Sequence, residues 1–524
     1  MQRAGAREKV VVVGAGLGGL AVALRLAHAG LDVEVVERLD APGGKLRTMP
    51  SPAWPVDAGP TVLTLRPVFE ALFAAAGASL ADHVTLVPEP VLARHWWPDG
   101  SRLDLVSDRE ANAAAIRAFA GRDAAAAFRA FDERAALLFD AFDATVMRAA
   151  SPSLPRLAKQ VAASPSLAAA VAPFRTLAGS LGRTFRDPRL AQLFGRYATY
   201  VGGLPDASPA LLALIWHAEA RGVWRVAGGM HRLAGAIEAV AKAGGARFHY
   251  GADVQRVEVA GGRVGAVRLA DGRRLAADIV VFNGDPAALH AGLLGDGVAD
   301  AVPGSAVLPR ALSAYVWSFA APAPAFDLGH HNVLFATDPA GEFHDIGRGR
   351  MPADPTLYVC AQDRGAGAGA AGAERFEIIV NAPAGRAPAE REFETCRERT
   401  VRALSRMGLG ALALPERAGL TTPTDFAALF PGSGGSLYGR SPHGLDAAFR
   451  RPTARSAVPG LYLAGGGVHP GPGMPMATLS GGLAADAVLA DLASTSRSGR
   501  TAMPGGTSTG SPPTASGRSR SSAS

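Results

Sequence analysis

The segment Val10-Val11-Val12-Val13-Gly14-Ala15-Gly16-Leu17-Gly18-Gly19 decides how the rest of the chain is read. Four consecutive valines suit a strand buried on both faces, as in a parallel sheet. The glycines follow in a G-x-G-x-x-G pattern, and the apolar run from Leu20 to Ala29, closed by Gly30, predicts a helix. Val33-Glu34-Val35-Val36-Glu37 predicts the second strand of a βαβ unit. In that setting Gly14 makes the tight turn, Gly16 lets a pyrophosphate approach the backbone, and Gly19 packs helix on strand. The helix N-terminus stabilises the anion. Glu37, 21 residues past Gly16, is placed to bind a ribose hydroxyl pair and disfavours a 2′-phosphate. The plainer alternative is a glycine-rich turn in an ordinary α/β domain. The same stretch also imitates a secretion signal, with Arg3, Arg7 and Lys9 before the apolar run and Ala27-His28-Ala29 after it, but the spaced glycines speak against that.

Two more glycine segments extend the pattern. Pro42-Gly43-Gly44-Lys45 follows the βαβ unit closely, where a glycine pair admits the ribityl and phosphate part of a ligand and Lys45 supplies charge. After a Rossmann-type start this points to FAD rather than NAD. Asp57-Ala58-Gly59-Pro60 reads equally well as a simple Asp-initiated turn. Far along the chain, Gly460-Leu461-Tyr462-Leu463-Ala464 reads as a short strand running into Gly465-Gly466-Gly467, then His469-Pro470-Gly471-Pro472-Gly473-Met474, with a helix from about Ala477. So many glycines permit close approach of backbone to a flat ligand.

Composition narrows the function classes. The chain has 524 residues, 48% of them hydrophobic, which excludes a disordered chain. Two cysteines, Cys360 and Cys396, argue against a disulfide scaffold. The +7 formal charge comes from 53 basic against 46 acidic residues, but only Lys9, Lys45, Lys159 and Lys242 are lysines. Four of the arginines (Arg497, Arg500, Arg518 and Arg520) follow Ser494 with no acid among them. The charge therefore reflects an Arg-rich composition and a basic tail, and no nucleic-acid surface is expected. A stretch of 18 uninterrupted apolar residues is lacking, so a spanning helix is not expected. His330-His331 with His344 lacks metal-ligand spacing and is read as loop, so no metal is assigned. Asp425-Phe426 is also read as loop, and Gly432-Ser433-Gly434 lacks the spacing of a nucleophile elbow.

Between these landmarks, 108–150 reads as helices, and 246–283, 313–319 and 376–380 as strands. From Leu167 to Phe185 apolar residues recur at helical spacing with Arg175, Arg183 and Arg186 among them. From Ser494 onward the Ser/Thr/Gly/Pro/Arg composition predicts a disordered tail.

Taken together, the three glycine segments resemble the FAD-dependent carotenoid desaturases of the bacterial phytoene-desaturase type, over residues of about 8–492. His469-Pro470-Gly471 with Gly473 is the most specific match, although Val468 departs from the small residue usual there. Gly228-Gly229-Met230, Val201-Gly202-Gly203-Leu204-Pro205 and Asp278-Ile279-Val280-Val281 also look like family segments. Lys45, the Trp216 to Met230 segment and Pro475 to Gly481 look most like the branch that desaturates hydroxyneurosporene.

The resemblance implies an α/β fold with three parts and a tail. A Rossmann-type FAD domain would be built from 8–70, 228–290 and 420–493, and a β-sheet substrate domain from 71–106 and 291–419. A helical region, 107–227, would line a substrate tunnel, and 494–524 would form the tail. It implies FAD held by Gly14, Gly16, Gly19, Glu37, Gly43, Gly44, Lys45, Val254, Gly465, Gly466, Gly473 and Met474, with His469 a candidate for contacting substrate or shuttling a proton. The implied reaction is hydride transfer from an allylic carbon to the flavin, introducing the 3,4 double bond of a 1-hydroxy acyclic carotenoid. Phytoene-type desaturation is the alternative, and a non-catalytic prenyl carrier on the same fold is an alternative of another class. Amine oxidases share the fold, but the several that bind FAD through a cysteine place it near the C-terminal motif, whereas Cys360 and Cys396 lie well before it. A carotenoid partitions into bilayers, so a cytoplasmic protein on the inner or photosynthetic membrane is expected, with 167–186 as the candidate docking segment. The reduced cofactor must pass its electrons to oxygen, a quinone or another acceptor.

Overall fold

A computed structural model describes residues 7–365, 372–385 and 391–501. Lys9–Val13 is a strand with Val10–Val13 buried, and it lies at the centre of a five-stranded sheet. The order is Leu461–Leu463, Ile279–Phe282, Lys9–Val13, Asp32–Val36, Arg247–His249, with every pairing parallel. Apolar runs such as Val10–Val13 and Ile279–Phe282 need cover on both faces, which is the condition of a parallel sheet. One cover is the helix Leu17–His28, almost wholly buried. It packs against the C-terminal helix Met474–Thr501, and a Cβ on Gly481 would lie 2.3 Å from the Gly18 carbonyl oxygen, so the two backbones meet through glycine. A three-stranded antiparallel meander, Val254–Ala260, Arg263–Leu269 and Arg274–Ala276, attaches beside this sheet.

The second layer is a seven-stranded mixed sheet. Its order is Leu420–Thr421, Ser313–Pro322, Ala373–Ala382, Leu357–Ala361, His331–Leu334, Ala93–Trp96, Arg102–Leu105. The helices between 109 and 220 form the third part. In the longest of them, Arg122–Phe142, the residues Phe128, Phe131, Leu138 and Phe142 fall on one buried stripe. Phe194 joins that core with its ring 4.5 Å from Phe131 and 5.2 Å from Phe185.

Several sequence expectations shift here. The boundary at 70/71 cuts the helix Arg66–Ala74, whose Phe69, Leu72 and Phe73 pack in the core of the parallel sheet together with Leu80 and Val84. Leu294, Val298 and Val302 likewise join the core beside the parallel sheet, while Leu420–Thr421 pairs with the mixed sheet. The amphipathic 167–186 segment is not one docking helix. It forms two short helices, Pro165–Val171 and Leu177–Thr184, whose Leu167, Leu177 and Leu181, with Phe185 after them, are buried in the helical core, leaving Phe174 outside at 96% exposure.

The C-terminal helix runs to Thr501, so the segment from Ser494 is helical at first, and the remainder of the expected tail lies outside the described residues. Met474–Ser494 is long and apolar enough by composition to cross a membrane, contrary to the expectation from uninterrupted runs, but its Ala484, Ala485, Ala487 and Val488 are buried against the first helix and its surroundings. Asp425 and Phe426 are in a helix, Pro423–Leu429, which Thr422 and Asp425 open with a reciprocal capping box. His331 begins a buried strand instead of lying in a loop.

Candidate functional site

One cavity of about 890 Å³ runs from the glycine loops of the parallel sheet to the mixed sheet and the helices. Gly14, Gly16, Glu37, Gly43, Gly44 and Lys45 line its polar end, and Val254, Gly465, Gly466, Gly473 and Met474 line it too. These segments are far apart in sequence and come together because the strands that carry them are neighbours in one sheet. Gly14 sits at φ +99° and Gly465 at φ +103°, conformations that favour glycine. Gly16 and Gly43 form a backbone bridge, and Gly43 N–H donates to the Ala15 carbonyl at 2.9 Å. No side chain caps the helix that begins at Leu17, so its first-turn amides are left for an anion. Glu37 is buried, with one carboxylate oxygen accepting from Ala15 N–H at 2.7 Å and the other from Leu39 N–H at 2.9 Å. Lys45 Nζ donates to the Leu437 carbonyl at 2.7 Å, and desolvation pulls its pKa down to about 8, with Arg310 and Arg451 acting in the same direction against Asp285.

Two expected residues do not line the cavity. Gly19 faces the backbone, and a Cβ there would fall 2.0 Å from the Gly14 carbonyl oxygen, so it serves helix–strand packing. His469 turns away: its Nε2–H donates to the Ala149 carbonyl at 3.0 Å, tying the C-terminal loop to the turn that follows the helix Arg122–Phe142. Burial holds its pKa below the ordinary range. A proton-shuttling role is therefore replaced by a turn-holding one. Asp57 is also an anchor, accepting Met230 N–H at 2.6 Å and His231 N–H at 3.1 Å, which fixes the Gly228-Gly229-Met230 turn.

The structure adds residues that sequence reasoning missed. Asn283 stands between the two glycine loops, donating to the Gly14 carbonyl at 3.1 Å, with its side chain 2.7 Å from where a Gly465 Cβ would be. Its position directly after an apolar strand, in Asn283-Gly284-Asp285, was the available signal. Polar groups also line the cavity: buried Thr61 and Glu377 with half-buried Tyr358 near the mixed sheet, and buried Arg196 and Glu219 with half-buried Tyr200 on the helices. Much of the remaining wall is apolar, including Phe139, Val146, Leu212, Ile215, Val316 and Phe335.

A glycine-cradled nucleotide site opening into a long apolar pocket defines a cofactor-dependent oxidoreductase of the flavoprotein kind. The chain belongs to the flavin-containing amine oxidoreductase family, whose model matches residues 17–489. Among curated proteins it is 58% identical to the hydroxyneurosporene desaturase of Cereibacter sphaeroides, covering 93% of this chain and 99% of that one. It is 54% identical to the protein of the same name from Rhodobacter capsulatus, over 92% and 98%. Among solved structures, cyclohexylamine oxidase from Brevibacterium oxydans shares the fold, with TM-score 0.56 and 19% identity over 93% of this chain and 100% of that one. The cofactor is thus a flavin, and the glycine cradle fits it.

Proposed function

We propose that this protein is an FAD-dependent desaturase that introduces the 3,4 double bond into 1-hydroxyneurosporene or a related 1-hydroxycarotenoid. The observation that carries this is the cavity itself, which joins a dinucleotide cradle to an apolar channel in one continuous space. Near-full-length identity of 58% to a hydroxyneurosporene desaturase supports the substrate class.

Glu37 would hold the ribose hydroxyls, the first-turn amides after Gly16 the pyrophosphate, and Lys45 with the Gly465–Gly466 loop the remainder of FAD. When bound, the flavin supplies a two-electron acceptor. The chain contributes position. Its apolar walls exclude water and align an extended polyene. The polyene spreads the positive charge left by hydride departure, so no strong base is needed from the protein for the proton that follows. FAD among the flavins is tested by heat-releasing the bound cofactor and separating it chromatographically. The adenine dinucleotide is expected, and the mononucleotide would contradict the roles of Gly16 and Glu37.

A membrane-facing corner is part of this reading, on the cytoplasmic face of the inner or photosynthetic membrane. Phe174 is 96% exposed and Leu154 49%, and Arg156, Lys159, Arg175 and Arg183 on the same stretch of chain are exposed as well. Aromatic and basic residues together suit an anionic lipid surface. A Phe174→Glu, Leu154→Glu variant is expected to float with anionic vesicles several-fold less than the parent while keeping its flavin. Equal flotation would remove this corner from the account.

A further inference from the structure

The strand Ala373–Ala382 alternates its side chains between two environments. Phe376, Ile378 and Val380 enter the core on one face, and Glu377, Ile379 and Asn381 line the cavity on the other. Glu377 is fully buried (0% exposed), and neither carboxyl oxygen has a hydrogen-bond partner among the described residues. Its pKa lies well above the ordinary carboxylate value, chiefly through burial and secondarily through the negative charge of Asp57, against the opposing pull of Arg47 and Thr61. Burial thus favours its neutral form, which can both donate and accept. An unpartnered buried acid is costly, so its presence beside open cavity calls for a ligand group to satisfy it.

Its surroundings share that chemistry. The Thr61 hydroxyl acts on the Glu377 charge while lying outside hydrogen-bond geometry, and it pairs with the Tyr358 hydroxyl at 2.8 Å. Tyr358 pairs in turn with His331 Nδ1 at 2.7 Å. Thr61 follows Gly59-Pro60, and Tyr438, whose pKa the Glu377 charge helps to raise, follows Leu437, the residue that Lys45 holds. Glu377 therefore marks the junction between the glycine-lined cofactor end and the apolar channel.

The reading of the function places a matching group there. In a 1-hydroxycarotenoid the hydroxyl-bearing C1 is separated from the reacting C3–C4 bond by C2 alone. Whatever holds that hydroxyl must sit close to the cofactor and at the end of an otherwise apolar channel.

We propose that Glu377, with the Thr61–Tyr358 hydroxyl pair beside it, is the subsite for the tertiary hydroxyl of the substrate and sets which carbon–carbon bond faces the cofactor. The proposal rests on the 1-hydroxycarotenoid reading. Sites built to hydrogen-bond a hydroxyl reject analogues that lack it far more strongly than apolar pockets discriminate by size.

The test compares kcat/KM on 1-hydroxyneurosporene and on neurosporene, which lacks the hydroxyl, for the wild type, Glu377→Gln and Glu377→Leu. Glu377→Leu is expected to reduce the preference for the hydroxylated substrate by about tenfold or more, with Glu377→Gln restoring most of it. Both variants are expected to keep flavin, and Glu377→Leu to melt no lower than wild type, because it removes an unsatisfied buried acid. If Glu377→Leu fails to fold, Tyr358→Phe gives the same comparison with a smaller expected loss of preference. An unchanged preference in the folded variants would overturn the subsite. Failure of the wild type to convert the hydroxylated carotenoid at all would instead overturn the functional reading.

Discussion

Gly16→Val is expected to yield a folded but colourless protein, with flavin absorbance per chain reduced at least about tenfold. Gly16 lies at φ −68° and ψ 171°, so a side chain there meets no backbone penalty. The obstacle is space. A Cβ would stand 3.0 Å from Asn283 Nδ2, and the cavity beside it is also bounded by Gly43 and Gly44. The branched methyl groups of valine would project into the volume a pyrophosphate needs and cover the first-turn amides. Gly19→Ala makes a contrast, because its Cβ would strike the Gly14 carbonyl at 2.0 Å and so damages folding rather than binding alone. Glu37→Ala should weaken flavin retention more mildly, since it deletes a ribose contact without filling the cradle. Circular dichroism and flavin content, measured together, separate these effects. A fully flavin-loaded Gly16→Val protein would contradict the cradle assignment.

Removing Glu219 is expected to cost about 3–5 kcal/mol of stability. Its carboxylate pairs with the Arg196 guanidinium at 3.1 Å and accepts from the Tyr197 hydroxyl at 2.8 Å, and both charged residues are buried. Arg196 also donates to the Tyr200 hydroxyl. Glu219→Leu leaves a guanidinium stranded in the wall of the cavity without its counter-charge. The double variant Arg196→Met, Glu219→Leu should regain most of the loss, because an apolar pair suits the surrounding core of Phe194 and Trp216. Thermal or denaturant unfolding of the two variants decides it. A Glu219→Leu protein as stable as its parent would show that the pair carries no structural weight.

How much of this was legible in sequence depends on the range of the interaction. The cradle was readable because its geometry is local: Val10–Val13, the glycines and Glu37 form one βαβ unit, and glycine is the residue that such turns require. Asn283 was not readable, because its role arises only when two strands 269 residues apart in sequence become neighbours and bring its amide to the Gly14 carbonyl. The stripe at Leu167, Leu177 and Leu181 was visible, but a stripe does not say whether lipid or protein covers it. Here the helix Arg122–Phe142 and its neighbours do. His469 carries an imidazole in a glycine loop, a combination suggestive of chemistry, yet its direction is set by the Ala149 carbonyl, outside the motif. Glu377 was hidden for the opposite reason. It sits in an apolar strand where one acid looks like an ordinary exposed position, and only the pairing of both strand neighbours shows that it is enclosed.

The most direct test of the account is pigment analysis of cells that express this chain and supply either 1-hydroxyneurosporene or phytoene as the sole acyclic carotenoid. A product carrying a new 3,4 double bond from the hydroxylated carotenoid, with phytoene left unconverted, is the expected result. Efficient conversion of phytoene with 1-hydroxyneurosporene untouched would contradict it.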